Sequence, residues 1–209
     1  GDVYKRQLYC DHPGEMRRRA CRTVLDQLFN ALVCWLGPIT SFTADEAFLT
    51  RRFGSIEEAP AGESVHLLTY PDIPAEWRND DLAARWAKVR PVRRVILGAL
   101  EVERREKRMR GSLEAAPQVF VTAEQAEALQ GLDLAEIASV SAAERTVGEP
   151  PAEAFAIPEI AGCGVLPTKS DAKRCERCWQ HKHDVGSDPE HPDACGRCAD
   201  AVRQMPEAA

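Results

Sequence analysis

Along residues 15–38, EMRRRACRTVLDQLFNALVCWLGP, apolar side chains recur at steps of three and four, so that Val24, Leu25, Leu28, Leu32, Trp35 and Leu36 share one stripe. This spacing predicts an amphipathic core helix closed by Gly37 and Pro38. In SFTADEAFL, Thr43 followed by Glu46 has the form of a capping box, which predicts a second, shorter helix starting there and ending near Phe53 and Gly54. SVHLLTYPDIP is rich in β-branched and aromatic residues but is cut by Pro71 and Pro74; an extended connector laid across the helices is expected. From residue 80 to 111, Leu82, Trp86, Val89, Val92, Val95, Ile96, Ala99 and Leu100 again keep a helical period, with a polar face dominated by arginine. Pro91 lies within that period. A proline there lacks a donor and clashes with the preceding turn at a cost of about 3 kcal/mol, so a kink or a junction of two helices is expected at Arg90–Pro91.

After Gly111 the periodicity changes. QVFV has the character of a strand, TAEQAEALQG of a short capped helix stopped by Gly131, and DLAEIASVSAAERTV ends in alternating residues that can return as a strand. GEPPAEAFAIPEIAGCG, with its proline, glycine and alanine, reads as a linker or loose hairpin. No internal repeat is present. The pattern therefore predicts a mainly α chain: a helical bundle over residues 8–110, a small α+β junction over 111–166, and a cysteine module over 167–209.

The chain has 209 residues, 44% of them hydrophobic, enough for one ordinary domain or two small ones and too apolar for a disordered chain. No apolar run approaches the 18 or so residues of a membrane span, and the opening GDVYKRQLYCDHPG lacks the apolar centre of a secretory signal. A cytoplasmic protein without a membrane partner is expected. The net charge of −6 is unevenly spread. Residues 85–110 hold ten Lys or Arg against three Glu, whereas 111–167 hold nine carboxylates and one Arg. A basic face of this kind suits a polyanion, and it also suits a helix side that simply faces water.

A reducing compartment argues that the eight cysteines are thiols or metal ligands. Cys10, Cys21, Cys34 and Cys163 are scattered, whereas Cys175, Cys178, Cys195 and Cys198 form C-x2-C-x16-C-x2-C. That spacing fits one structural Zn2+ held by four thiolates, a closed tetrahedron with no position left for water or substrate. A redox CxxC would call for a neighbouring βαβ pattern, and an iron–sulfur cluster usually uses other spacings. His181, His183 and His191 lie in the intervening loop and are expected to face solvent or phosphate.

RRRACRTVLDQLFNALVCWLGPITSFTADEAFL, SVHLLTYPDIPAEW, ALEVERREKRMRGSLEA, and KRCERCW with CGRC near the end occur in this order. In this order they resemble the carboxy-terminal third of bacterial isoleucyl-tRNA synthetases, class I aminoacyl-tRNA synthetases, from about Leu8 to Val202. The resemblance implies a helical anticodon-binding domain, a small junction and a terminal zinc module that helps to hold the anticodon arm of an isoleucine-accepting tRNA. It also implies a cytoplasmic parent enzyme, monomeric, that joins isoleucine to tRNA with ATP. The HIGH-like and KMSKS-like ATP signatures of that family are absent from these residues, so ATP belongs to a catalytic domain outside them and the chain is expected to be inactive alone. Residues 1–7 do not resemble the family and are set apart as a leader. Arg110 stands where the family usually has glycine, and Pro91 interrupts a helix that the family tends to run unbroken.

No catalytic residues are expected. The candidate tRNA contacts are Arg93, Arg94, Arg104, Arg105, Lys107, Arg108 and Arg110 on the arginine-rich stretch, and Lys173, Arg174, Arg177, Trp179 and Lys182 around the cysteines. Unpaired bases can stack on aromatic or guanidinium planes, which nominates Trp179; the competing role for this residue is a lid over the metal. A zinc-ribbon module that docks a protein and has no nucleic-acid role is the alternative, favoured by the acidic middle and disfavoured by the arginine-rich helix. A free-standing zinc enzyme is opposed by the closed thiolate set and by the lack of a paired-carboxylate or Ser/His constellation.

Overall fold

A computed structural model of the chain describes residues 8–205. Residues 1–7, expected to be a leader, lie outside the described residues, as do residues 206–209. The chain divides into two units, one formed by residues 14–78 and the other by the described residues on either side of them. The boundaries expected at 110/111 and 166/167 both fall inside the second unit.

In residues 14–78, α1 (Met16–Leu36) and α2 (Ser41–Phe53) pack on each other through Val33, Ala44, Phe48 and Leu49, with Val65 from the following 3-10 turn (Val65–Leu67) completing the cluster. Asp45 accepts hydrogen bonds from the Ser64 hydroxyl and the Val65 N–H, both at 2.8 Å, which pins that turn to α2. Two expectations are corrected here. The stripe Val24, Leu25, Leu28, Leu32, Trp35 and Leu36 does not face a core; these side chains are 39–57% exposed, and α1 buries Ala31 and Val33 instead. The face turned toward α2 and the 65–67 turn is set by which partners are present, and periodicity alone cannot choose between two apolar faces. The capping box at Thr43 and Glu46 is also absent, because the Ala44 N–H already donates to the Thr40 carbonyl at 2.8 Å and α2 begins one turn earlier. The connector expected to be extended over residues 64–74 is so only after its 3-10 turn at Val65–Leu67, and a second 3-10 turn follows at Ala75–Trp77.

The second unit is organised by α3 (Asp80–Arg105), which starts from an Asn79 side chain that accepts from the Leu82 N–H at 2.8 Å. Acidic Asp80 and Asp81 occupy its first turn and basic Arg104 and Arg105 its last, each complementing the helix dipole. Pro91 neither ends the helix nor divides it: α3 runs through as one element. Val89, Val92, Val95 and Ile96 on either side of the proline are fully buried, and apolar burial at about 1.5–3 kcal/mol per side chain outweighs one lost backbone bond.

Against α3 lies a small sheet of order β2-β1-β3, with β1 (Gln118–Val121) parallel to β2 (Glu144–Val147) and antiparallel to β3 (Gly164–Leu166). The β1–β2 crossover carries α4 (Ala123–Ala128), opened by a capping box between Thr122 and Gln125, and α5 (Leu134–Ala138). This α+β junction agrees with the order of strand, helix and strand read from residues 118–147. Of the two expectations for the segment 148–164, a linker or a loose hairpin, the structure has a hairpin-like return that is packed rather than loose. Phe155 pairs with Val165 through two backbone bonds of 2.9 Å and, with Ile157 and Ile160, packs on the core. Its ring lies so close to α3 that a Cβ at Gly98 would meet it at 2.8 Å. The cysteine module closes the chain: β4 (Lys173–Arg174), β5 (His181–Lys182) and α6 (Gly196–Arg203). No helix among the described residues is long and apolar enough to cross a membrane.

Because α3 tolerates Pro91 through packing alone, Pro91→Ala is expected to raise the unfolding free energy by up to about 3 kcal/mol. Denaturant unfolding of the two proteins checks this; an unchanged midpoint would mean that the helix has already adapted to the proline.

Candidate metal centre and adjoining cleft

The hairpin β4–β5 brings Cys175 and Cys178 to a tight turn, closed by a Cys175 N–H to Gln180 carbonyl bond and a Trp179 N–H to Cys175 carbonyl bond, each 2.8 Å. Trp179 takes the left-handed conformation, φ 62°, to complete that turn. Cys195 caps α6 and Cys198 sits in its first turn, so the second pair meets the first at a helix N-terminus, where the dipole favours negative sulfur. The four Sγ atoms all lie within 4.8 Å of one another, and the residues are at most 5% exposed. Cys178 Sγ and Cys195 Sγ are 3.9 Å apart. A tetrahedron with metal–sulfur bonds of about 2.3 Å has an edge of about 3.8 Å, so the donor set fits a zinc-sized ion. No histidine joins the cluster among the described residues. His181 is turned inward, its ring bonded to the Ala172 carbonyl at 2.9 Å, while His183 is exposed beside Asp171.

Hydrogen bonds from the Cys195 and Cys198 thiols hold Cys178 far below an ordinary thiol, and the same sharing pushes Cys195 up to about 11 and Cys198 higher still. A bound divalent ion would draw the remaining protons off and leave the set with a formal charge of −2, which places weight on nearby cations. Arg197 meets that need: desolvation disfavours its charge, but Asp11 and the cysteine sulfurs outweigh the loss and raise its pKa. Asp11, buried, pairs with Arg197 at 3.1 Å.

Residues 9–12, which carried no signal in the sequence, are part of this centre. The Arg177 guanidinium donates to the Cys10 carbonyl at 2.5 Å and the Tyr9 carbonyl at 3.3 Å, and His12 bonds the Gln204 carbonyl at 3.0 Å. Cys10 is buried against the four cysteines. Burial pushes its thiol up, as it does that of Cys163, which sits in the core around α3 and rises to about 11.

Beside the centre opens a cleft of about 720 Å³. Arg110 to Glu114 form one wall; Arg174, Arg177, Trp179 and His181 form the other, with Tyr9 at the rim. Trp179 is 61% exposed and lines this cleft, which argues against the lid role. The twelve candidate contacts separate into groups. Arg110, Arg174, Arg177 and Trp179 converge on the cleft. Arg93 and Arg104 line a neighbouring cavity of about 510 Å³ with Met109 and Ser139, Arg93 also donating to the Ile137 carbonyl at 2.9 Å and Arg104 pairing with Glu101 at 2.7 Å. Arg94, Arg105, Lys107 and Lys173 are exposed. Three are committed inward: Arg177 as above, Lys182 to the Ser141 carbonyl at 2.9 Å, and Arg108 to both oxygens of the buried Glu103 at 2.7 and 2.6 Å. The Arg108 hydrogen bonds hold the Glu103 carboxyl below its usual range. The contribution of Tyr9 has no local signal, because it depends on a contact 168 residues away.

A family model described as the anticodon-binding domain of tRNA ligase matches residues 2–119, reaching into the first seven residues that were expected to lie outside the family, and one described as a zinc finger found in FPG and IleRS matches residues 172–201. The chain is 44% identical over 205 residues to an isoleucine–tRNA ligase of Bartonella henselae and 46% identical over 205 residues to one of Agrobacterium fabrum; each alignment covers 98% of this chain and 20% of the relative. It is 45% identical over 202 residues to the isoleucine–tRNA ligase of Caulobacter vibrioides, covering 96% of this chain and 20% of the relative. The chain thus spans about a fifth of the length of the curated relatives it matches.

Structural metal binding supplies on the order of 10 kcal/mol to modules of this size. Cys178→Ser is therefore expected to abolish stoichiometric metal and to unfold residues 172–203, releasing 9–12 with them while α3 and its sheet stay folded. Metal analysis together with amide exchange at Tyr9 to His12 checks this, and full metal retention would refute the four-thiol site. Metal affinity should fall as pH is lowered, since the thiols must lose protons to bind, and a pH-stat titration should record proton release on metal addition.

Proposed function

Because the chain belongs to the family of anticodon-binding domains of tRNA ligases, matched over more than half of its length, we propose that it is the tRNA-holding and zinc-binding part of an isoleucine–tRNA ligase. The observation that carries this reading is the cleft beside the four-cysteine site, where Arg110, Arg174 and the exposed Trp179 converge. An unpaired anticodon nucleotide is offered there a ring to stack on and the Arg110 guanidinium for its phosphate, with Arg174, paired with Glu176 at 2.8 Å, beside it. Arg93, Arg94, Arg104, Arg105 and Lys107 would extend the positive surface along α3 and the turn after it. Arg108, Arg177 and Lys182 would act chiefly by supporting the walls, since their side chains already hold Glu103, the 9–10 backbone and Ser141.

One structural Zn2+ is assigned to Cys175, Cys178, Cys195 and Cys198. With four thiolates around it, the ion would fix the hairpin and α6 together and take no part in bond-making. Activation of isoleucine with ATP, its transfer to tRNA and a monomeric, cytoplasmic ligase are assigned to the longer polypeptide that the relatives represent. This chain alone should bind tRNA and should not aminoacylate it. A zinc-ribbon module that only docks a protein is the competing reading, supported by the acidic composition of residues 111–167.

The test is the affinity of the zinc-loaded chain for isoleucine tRNA and for a copy with a substituted anticodon. Trp179→Ala should weaken the native tRNA by about tenfold, within the range of base–aromatic stacking, and erase the preference between the two. Arg110→Ala should weaken both alike and reduce the slope of log affinity against log salt by about 0.7. No salt-dependent tRNA binding by the unaltered chain would favour the protein-docking module instead.

A further inference from the structure

The two walls of the cleft come from distant parts of the chain and are built from short elements. One is the 3-10 turn Ser112–Glu114 and the residues before it, the other the two-residue strands of the metal hairpin. Such elements hold little buried apolar surface of their own, so their relative position needs a separate tie. Ser141, in the loop between α5 and β2, provides it. The residue is fully buried. Its hydroxyl donates to the Leu113 carbonyl at 2.5 Å and accepts from the His181 N–H at 2.6 Å. Its N–H donates to the Ala115 carbonyl at 3.1 Å, and its carbonyl accepts from Lys182 Nζ at 2.9 Å. Next to it the Val140 carbonyl accepts from the buried Gln180 amide at 3.3 Å.

Every polar group of Ser141 is thus used, and the bonds divide between the two walls. Leu113 and Ala115 continue the wall that carries Arg110; His181 and Lys182 are β5, the strand that follows Trp179 and returns to the Cys175 N–H through Gln180. Both Leu113 and His181 line the cleft.

Resting on the nucleotide-binding reading above, we propose that Ser141 is a positioning residue that sets the width of the cleft, locking the metal hairpin to the 110–115 wall so that one unstacked nucleotide meets Trp179 and Arg110 together. The metal orders the hairpin, Ser141 transmits that order across the cleft, and loss of either leaves the two contacts out of register. A hydroxyl that takes and gives one bond each is what the place requires: an alanine would strand a buried N–H on one wall and a buried carbonyl on the other.

The experiment compares the zinc-loaded chain with Ser141→Ala for binding of isoleucine tRNA and its anticodon-substituted copy, with Arg145→Ala, which does not line the cleft, as a control. The variant is expected to keep one metal per chain and, with cobalt in place of zinc, the same thiolate absorption bands. Its affinity for native tRNA should fall about tenfold, the scale of one unsatisfied buried pair, and its anticodon preference should be lost. Chelation should then cost it less than it costs the unaltered chain, because the two losses share one route. A merely stabilising serine would lower the melting temperature and leave the affinity ratio of the folded protein unchanged. Should Ser141→Ala fail to fold, Lys182→Gln cuts the outer tie alone: the brace predicts weaker binding with an unchanged salt slope, whereas a phosphate contact predicts a slope lower by about 0.7. Binding and preference left intact by these variants would overturn the brace alone; absence of tRNA binding by the unaltered chain would overturn the function itself and the nucleotide role of the cleft with it.

Discussion

Four buried sulfur atoms gathered within 4.8 Å make a demand that the surrounding residues answer. As metal ligands they would carry four negative charges, which repel one another strongly without a cation between them. The helix N-terminus at Cys195, the Arg197–Asp11 pair and the Arg177 guanidinium all lie where that charge has to be balanced. Residues 9–12 are drawn in for the same reason: their carbonyls accept from Arg177, and Asp11 keeps Arg197 in place. The paths of residues 9–12 and of the metal hairpin and α6 are therefore governed by one cluster.

A second constraint is the full burial of one face of α3. Val89, Val92, Val95, Ile96 and Ala99 are sealed by β3, α4, α5 and the segment carrying Phe155. This burial is what lets the helix continue through Pro91, and it explains why Gly98 has no side chain: the Phe155 ring already occupies the space. Continuing α3 to Arg105 delivers the turn at Lys107, whose left-handed φ of 59° redirects the chain. Arg108 then anchors to Glu103, and Arg110 is presented to the cleft. Packing at the middle of the helix thus positions charge at its end.

The basic residues do not act as one uniform surface. Some are free side chains on the α3 face, and others are structural cations whose hydrogen bonds hold the walls that the free ones need. Net charge along a stretch cannot separate the two, because the distinction lies in whether a carbonyl or carboxylate from elsewhere in the fold has already claimed the guanidinium. Arg108 and Arg110 are two residues apart and fall on opposite sides of it. In residues 14–78 the apolar stripe of α1 shows the same limit in another form, since the spacing of Val24, Leu28, Leu32 and Trp35 records an apolar face without recording what meets it.

The sequence by itself determined the features whose physics is local. Cysteine spacing specified a four-thiol site because two CxxC turns each offer two sulfurs whatever surrounds them. The order of strand, capped helix and strand over 118–147 followed from side-chain period and from Thr122 and Gln125, and the order of motifs carried the likeness to isoleucyl-tRNA synthetases. Only the tertiary structure decided the continuity of α3, the packing of residues 148–164, the place of residues 9–12 on the metal module and the cleft that Ser141 spans. Each of these rests on partners that are remote along the chain: burial across the α3 face for Pro91, a ring against Gly98 for Phe155, a carbonyl 167 residues away for Arg177. A hydrogen bond or an apolar contact has no preferred sequence separation, and so the pattern that places each residue on an element does not say which distant group will satisfy it.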